Sequence, residues 1–152
     1  KRTIAFRDCH LRPGSTPHIE TAPKPDERIT AVELPPAKCA KNVYYLKVRY
    51  RQSYDFALVS VAAGLELEGN TIKSAGLALG GVALKPWRSL EAEKFLIGAA
   101  PSPEVFKKAA DLLVAGAKPH EHNAFKIELA RQSIVTALTR AVHPEQRQGV
   151  QA

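Results

Sequence analysis

Residues 57–84 restrict the choice of fold more than any other stretch. Ala57 to Leu67 is a long apolar run suited to a buried strand. Glu68-Gly69-Asn70-Thr71 follows, and Gly and Asn accept the positive φ of a tight turn. Ile72 to Leu84 then returns as a second apolar run. Two such runs around a turn predict an antiparallel hairpin with a buried face. Gly80-Gly81, inside the second run, predicts a bulge or a close backbone approach.

The flanking segments extend this pattern. Thr3 to Phe6 and the alternating Ile29-Thr30-Ala31-Val32-Glu33-Leu34 read as strands, and Pro35-Pro36 ends the second. Residues 7–28 hold Pro13-Gly14-Ser15-Thr16-Pro17, Pro23 and Pro25, the composition of an irregular connection. Ala37 to Val43 reads as a loop, and Tyr44 to Val48 as the strand before the hairpin. Helices come afterwards. Ser89 caps one that runs through Leu96, with Gly98 past its end. Ser102-Pro103-Glu104 starts a second, with Val105, Ala109, Leu112, Leu113 and Gly116 on one face. Asn123 caps a third, whose stripe is Ile127, Ala130, Ile134, Leu138 and Ala141. Pro144 stops it, leaving 146–152 as a frayed tail.

Strands first and helices after predict an α+β fold: an antiparallel sheet of three to four strands, covered on one face by about three helices. At 152 residues and 45% apolar content, the chain has the size and core of one ordinary domain with a short attached piece. No apolar run reaches the roughly 18 residues that a membrane-spanning helix needs, so no membrane partner is expected. The chain has no methionine and starts within an apparent strand, so a piece of a longer polypeptide is expected.

Net charge is +7, unevenly placed. Residues 1–51 hold eleven Lys/Arg and five Asp/Glu, hence +6; residues 52–152 hold eleven and ten, hence +1. An anionic partner or an acidic neighbouring subunit would suit the basic end. The charges are scattered rather than striped along one helix, which argues against nucleic acid. Cys9 and Cys39 are too few for a disulfide scaffold and share no metal spacing, so free thiols in a reducing compartment are expected.

Several reaction classes find no support. There is no Gly-x-Gly-x-x-Gly or Walker pattern, so a bound nucleotide would need its phosphate site elsewhere. There is no Gly-x-Ser-x-Gly elbow. His120-Glu121-His122 lies in a loop with no third ligand at metal spacing. Trp87 has the bulk of a core or interface anchor. Lys47, between Leu46 and Val48 near a strand end, reads either as a surface lysine lying along apolar surface or as a cation placed near an anionic group. Asp55 can cap a turn, pair with Arg49 or Arg51, or face a ligand.

Six segments occur in order across nearly the whole chain: Arg2-Thr3-Ile4, Leu11-Arg12-Pro13-Gly14, Asp26 to Pro35, Tyr45 to Ala63, Leu77 to Arg88, and Asn123 to Arg131. Together they resemble the C-terminal part of the FAD-binding (medium) subunit of the xanthine dehydrogenase and carbon monoxide dehydrogenase, or molybdenum hydroxylase, family. Lys85-Pro86-Trp87-Arg88 and Asn123-Ala124-Phe125-Lys126 are most similar to the bacterial branch with separate subunits. The resemblance implies that 1–36 are the last strands of an upstream FAD-binding domain and its connection. It implies that 37–145 are the flavoprotein C-terminal domain. It further implies FAD shared with that upstream domain, a molybdenum-cofactor subunit and an iron–sulfur (2Fe–2S) subunit as partners, and electron transfer through FAD to an external acceptor. The fragment alone would be inactive. Ile29 matches an aliphatic position that packs near the isoalloxazine ring, and Lys47 matches a lysine that approaches it. Tyr50 and Asp55 lie in the loop that would border the flavin. No catalytic residue and no metal ligand is expected in this chain. The compartment would be the cytoplasm, with the periplasm as the alternative for an exported complex. A non-catalytic interaction module of the same fold, or a basic nucleic-acid binder, are the other readings.

Overall fold

The computed structural model describes residues 1–36, 39, 41–51 and 54–149. The chain divides into two compact units, Lys1–Pro36 and Ala37–Ala152.

In the first unit, the only regular element is the single turn α1, Phe6–Cys9. The strands expected at Thr3 to Phe6 and at Ile29 to Leu34 do not form. A strand needs a neighbour for its backbone groups, and within this unit the pairing reduces to an isolated bridge between His10 and Thr21. Beside the backbone bonds of its turns and bridge, one side chain ties the unit together. Arg2 holds Glu27 through two charge-assisted bonds, Nε to Oε1 at 2.9 Å and Nη2 to Oε2 at 2.7 Å, and also donates to the Ala22 carbonyl at 3.0 Å. The Lys24 amide donates to Glu27 Oε2 at 2.8 Å. The Arg2 guanidinium and then the Lys24 amide lower the Glu27 carboxyl to about 2.

The second unit carries the hairpin. β1 (Asn42–Val48), β2 (Val59–Glu68) and β3 (Thr71–Gly80) form one antiparallel sheet in the order β1-β2-β3. Gly69, at φ 59°, turns β2 into β3, and a register shift at Glu66/Leu67 bends the pair. β1 starts two residues earlier than its sequence suggests. β3 stops at Gly80 rather than Leu84, and Leu84 is exposed. The cause lies in the glycine pair. Gly81 adopts φ 73°, and a Cβ there would stand 2.9 Å from the Ala57 carbonyl oxygen. The second strand of the hairpin therefore ends where it crosses closely over the chain entering β2.

Three helices cover one face of the sheet, as expected: α2 (Leu90–Leu96), α3 (Pro103–Val114) and α4 (Phe125–Val142). Ser89 and Ser102 cap α2 and α3 as predicted, accepting from the Ala92 and Val105 amides at 3.3 Å. Asn123 does not cap α4. Its side chain accepts from the His120 amide at 2.7 Å, and Ala124 stands at the helix start. A short 3₁₀ helix, Pro144–Gly149, takes in the first residues of the 146–152 segment expected as a frayed tail; the last three residues lie outside those described.

The core is continuous. Val59, Val61, Ala63 and Leu65 of β2 and Ile72, Leu77 and Leu79 of β3 meet Leu96, Phe106, Leu113, Ile134 and Leu138. The expected α4 stripe is the buried face of that helix, joined by Ser133 and Ala137. On α3 the buried face also takes in Phe106, Ala110 and Val114, while Gly116 is an exposed helix end at φ 83°. Trp87 packs on this core, and its Nε1 donates to the Leu113 carbonyl at 2.7 Å.

Candidate functional site

Side chains alternate along β1. Asn42, Tyr44, Leu46 and Val48 turn toward the helices, while Val43, Tyr45 and Lys47 stand exposed on the opposite face. Lys47 therefore lies on the uncovered face of the sheet. Leu46 and Val48 do not bury its stem, because in a strand the two neighbours point the other way.

The register defines what surrounds it. Lys47 lies opposite Ser60, and Ser60 opposite Gly80. The next rows are Tyr45, Ala62 and Ala78, then Val43, Gly64 and Gly76. Beside β1, the open face is thus paved with small side chains. A Cβ at Gly80 would fall 2.5 Å from Ser60 Oγ, so a side chain there would turn the serine hydroxyl away.

From the end of β1, the chain runs through Arg49 to Leu58 into β2. Tyr50, Tyr54 and Phe56 are at least 80% exposed, an unusual display of aromatic surface. Tyr54 adopts φ 50°, a costly conformation for a bulky residue. Arg51 braces it by donating to the Tyr54 carbonyl at 2.7 Å. Asp55 is half-buried. The ion pair expected between Asp55 and Arg49 or Arg51 is not among those joining the described residues, because Arg51 is turned to a backbone acceptor instead.

Lys47, Tyr50 and Asp55 thus share one end of the second unit, along the β1–β2 connection. Ile29 belongs to the first unit, where it lies outside any regular element and is 70% exposed. Among the described residues no three His, Cys, Asp or Glu side chains are placed to hold a metal. His120 and His122 are exposed, and His122 Nε2 lies 3.6 Å from Glu121 Oε1. Among the described residues no helix is long and apolar enough to cross a membrane.

Two features escaped the sequence. One is Glu93, only 5% exposed, whose carboxylate binds Arg88 at 2.6 and 2.9 Å and accepts the Leu77 amide at 3.0 Å. This contact raises the Arg88 pKa. A glutamate in the first turn of a helix gave only a helix-dipole signal. The other is an open groove of about 980 Å³ between β1 and α4, whose walls include Lys47, Arg49, Arg51, Thr136 and Arg140.

Comparison with known proteins gives this geometry a lineage. Residues 44–141 match the family model for the CO dehydrogenase flavoprotein C-terminal domain. The chain is 45% identical over 140 residues to the aldehyde oxidoreductase FAD-binding subunit PaoB of Escherichia coli, covering 92% of this chain and 41% of that protein. It is 38% identical over 93 residues to the glyceraldehyde dehydrogenase medium chain of Sulfolobus acidocaldarius, covering 61% of this chain and 32% of that one. The chain therefore spans less than half the length of either relative. Among solved structures, CO dehydrogenase from Hydrogenophaga pseudoflava superposes with a TM-score of 0.61 at 30% identity, over 66% of this chain and 36% of that one. Quinoline 2-oxidoreductase from Pseudomonas putida gives 0.63 at 25%, over 68% and 37%. An antiparallel three-stranded sheet with helices on one face, a family match over most of its second unit and a close relative across nearly all of its length agree: this chain belongs to the CO dehydrogenase flavoprotein C-terminal domain family, that of the molybdenum hydroxylase FAD-binding subunits.

Proposed function

We propose that this chain is the C-terminal part of a FAD-binding subunit and forms one flank of its flavin site. The observation that carries this reading is Lys47: an exposed cation on the open sheet face, opposite small residues of β2 and β3, in a chain whose relative is an FAD-binding subunit. The residues present fit a flat, electron-accepting ring. Exposed Ala62 and the half-buried Ala78 and Gly80 leave small side chains on that face near Lys47, while Ser60, opposite it, is itself buried. Bound FAD would supply the redox chemistry. Lys47 would hold positive charge toward bound FAD and so favour its electron-rich state. Ile29, Tyr50 and Asp55 would be further residues that hold it.

In the same reading, residues 1–36 close the upstream FAD-binding domain, 37–145 form the C-terminal domain and 146–152 its tail. Partner subunits would carry the 2Fe–2S clusters and the molybdenum cofactor, and FAD would supply the link to an external electron acceptor. Free Cys9 and Cys39 suit the cytoplasm.

The test uses the assembly that contains this chain, purified with its partners. We expect flavin absorption, a lower flavin midpoint potential in Lys47→Ala, and near-native potential in Lys47→Arg. A colourless assembly, or a potential unmoved by Lys47→Ala, overturns the assignment.

A further inference from the structure

The two edges of the sheet are finished differently. The outer edge of β3 is closed by its own chain. Ile72 donates to the Ala99 carbonyl at 2.9 Å and accepts from the Gly98 amide at 2.8 Å. The Leu77 amide donates to buried Glu93 at 3.0 Å. Leu79 and Trp87 exchange both backbone bonds, at 2.8 and 2.9 Å. An edge closed in this way cannot recruit another strand.

The register then shows what β1 leaves open. Backbone groups alternate sides along a strand. Leu77 and Leu79 point theirs outward, so Gly76, Ala78 and Gly80 point theirs at β2. Their partners Gly64, Ala62 and Ser60 face β3, so Val61 and Ala63 face β1. Those pair with Leu46 and Tyr44, which therefore face β2. The Val48 carbonyl agrees, accepting from the Leu58 amide at 2.8 Å. The amides and carbonyls of Val43, Tyr45 and Lys47 are left on the outer edge. Among the described residues, no backbone bond outside the ladders engages them.

This edge borders the groove beside α4. Leu129, Thr136 and Arg140 form the helical wall, and Arg140 is held there by the Tyr44 hydroxyl at 2.9 Å and the Tyr44 ring at 5.5 Å. Among the described residues that line it, the charged ones are basic and none is Asp or Glu: Arg49, Arg51 and Arg140, with Lys47 on the strand edge itself. From residue 37 to 51 the chain carries five Lys or Arg and no acid.

We propose that β1 is a docking edge for an extended acidic segment of a partner polypeptide, which adds to the sheet as a fourth strand and lies in the β1–α4 groove. The edge supplies alternating donors and acceptors, and the groove supplies the complementary charge. Extended polypeptide satisfies both, whereas nucleic acid would use the charge and leave the amides unpaired. The proposal concerns the strand edge, not the sheet face assigned to flavin, and stands if that assignment fails.

The 152-residue chain is titrated with a fluorescent peptide of eight residues, about the length of a strand, alternating Glu and Val. A Lys–Val peptide and an oligothymidine strand are titrated in parallel. Saturable binding of the acidic peptide is expected, with slowed amide exchange at Val43, Tyr45 and Lys47 and little change at Tyr44 and Leu46. Proline is tolerated where a strand's amide faces outward, so Tyr45→Pro removes one edge donor and keeps the ladder to β2. It should weaken binding about tenfold, the effect of one unpaired group, while Tyr45→Thr, which retains the amide, binds nearly as tightly as the native chain. Should Tyr45→Pro fail to fold, the Arg49→Glu/Arg51→Glu double variant must lose the acidic peptide. Equal or tighter binding of the basic peptide or the oligonucleotide, exchange protection without the alternating pattern, or a folded Tyr45→Pro that binds normally each overturns the proposal.

Discussion

Gly81→Ala tests the idea that a close backbone crossing ends β3 and fixes the loop beside Lys47. Two costs are separable. Left-handed backbone costs an L-residue about 1–2 kcal/mol. The new Cβ would also meet two backbone carbonyl oxygens, Ala57 at 2.9 Å and Leu58 at 3.2 Å. Neither can rotate away as a side chain would, so the crossing must open, at roughly 1–3 kcal/mol for overpacking. The sum is about 2–5 kcal/mol. Gly116→Ala is the control. Its φ of 83° resembles the 73° of Gly81, but nothing lies within 4 Å of its Cβ position. It should cost only the conformational part, about 1–2 kcal/mol. Both substitutions change the unfolded chain alike, so that contribution cancels in the difference. Urea unfolding followed by far-ultraviolet circular dichroism gives both values. If the two variants are equally stable, the crossing at Ala57 and Leu58 is not a tight contact, and the account of why β3 stops at Gly80 fails.

Two further outcomes can be checked directly. Glu27 is held at about 2 by Arg2, so the folded value lies below the unfolded one. Its contribution to order in the first unit is complete above about pH 4.5 and is lost as pH falls toward 2; a carboxyl-carbon NMR titration should show this, and Arg2→Ala should move Glu27 up toward the ordinary carboxylate range, with the Lys24 amide still lowering it. Glu93→Ala leaves the Leu77 amide without its acceptor and Arg88 without its partner, and should cost about 1–3 kcal/mol, read as a lower urea midpoint with an unchanged slope.

Where local chemistry dictates structure, the sequence was readable. Gly69-Asn70 marked the hairpin turn, Ser89 and Ser102 marked helix starts, and the α4 stripe from Ile127 to Ala141 became its buried face. Readings that depended on distant partners failed. Ile29 to Leu34 alternates as a strand does, yet alternation supplies no neighbour to bond with. Leu84 continued an apolar run past Gly80, where a contact remote in sequence decides the end: Gly81 lies against the Ala57 carbonyl, at the other side of the hairpin. Asn123 bonded backward to His120 rather than forward into α4, a choice between two local acceptor geometries that composition does not separate. For the candidate site, the residue types were legible and the direction of Lys47 was not. The apolar flanks suggested packing along its stem, while the period of the strand turned those flanks to the other face.

The hydrogen bond from Trp87 Nε1 to the Leu113 carbonyl gives the protein a built-in optical reporter. Trp87 is the chain's single tryptophan, and its indole ties the segment bridged to Leu79 to the end of α3. Its emission therefore follows the docking of helix on sheet and shifts to the red when that contact opens. Residues 1–36 contain one aromatic side chain of the Phe, Tyr and Trp set, Phe6, and no indole. The emission therefore reports the second unit, and a difference between the fluorescence and amide-exchange transitions would show the two units melting in separate steps.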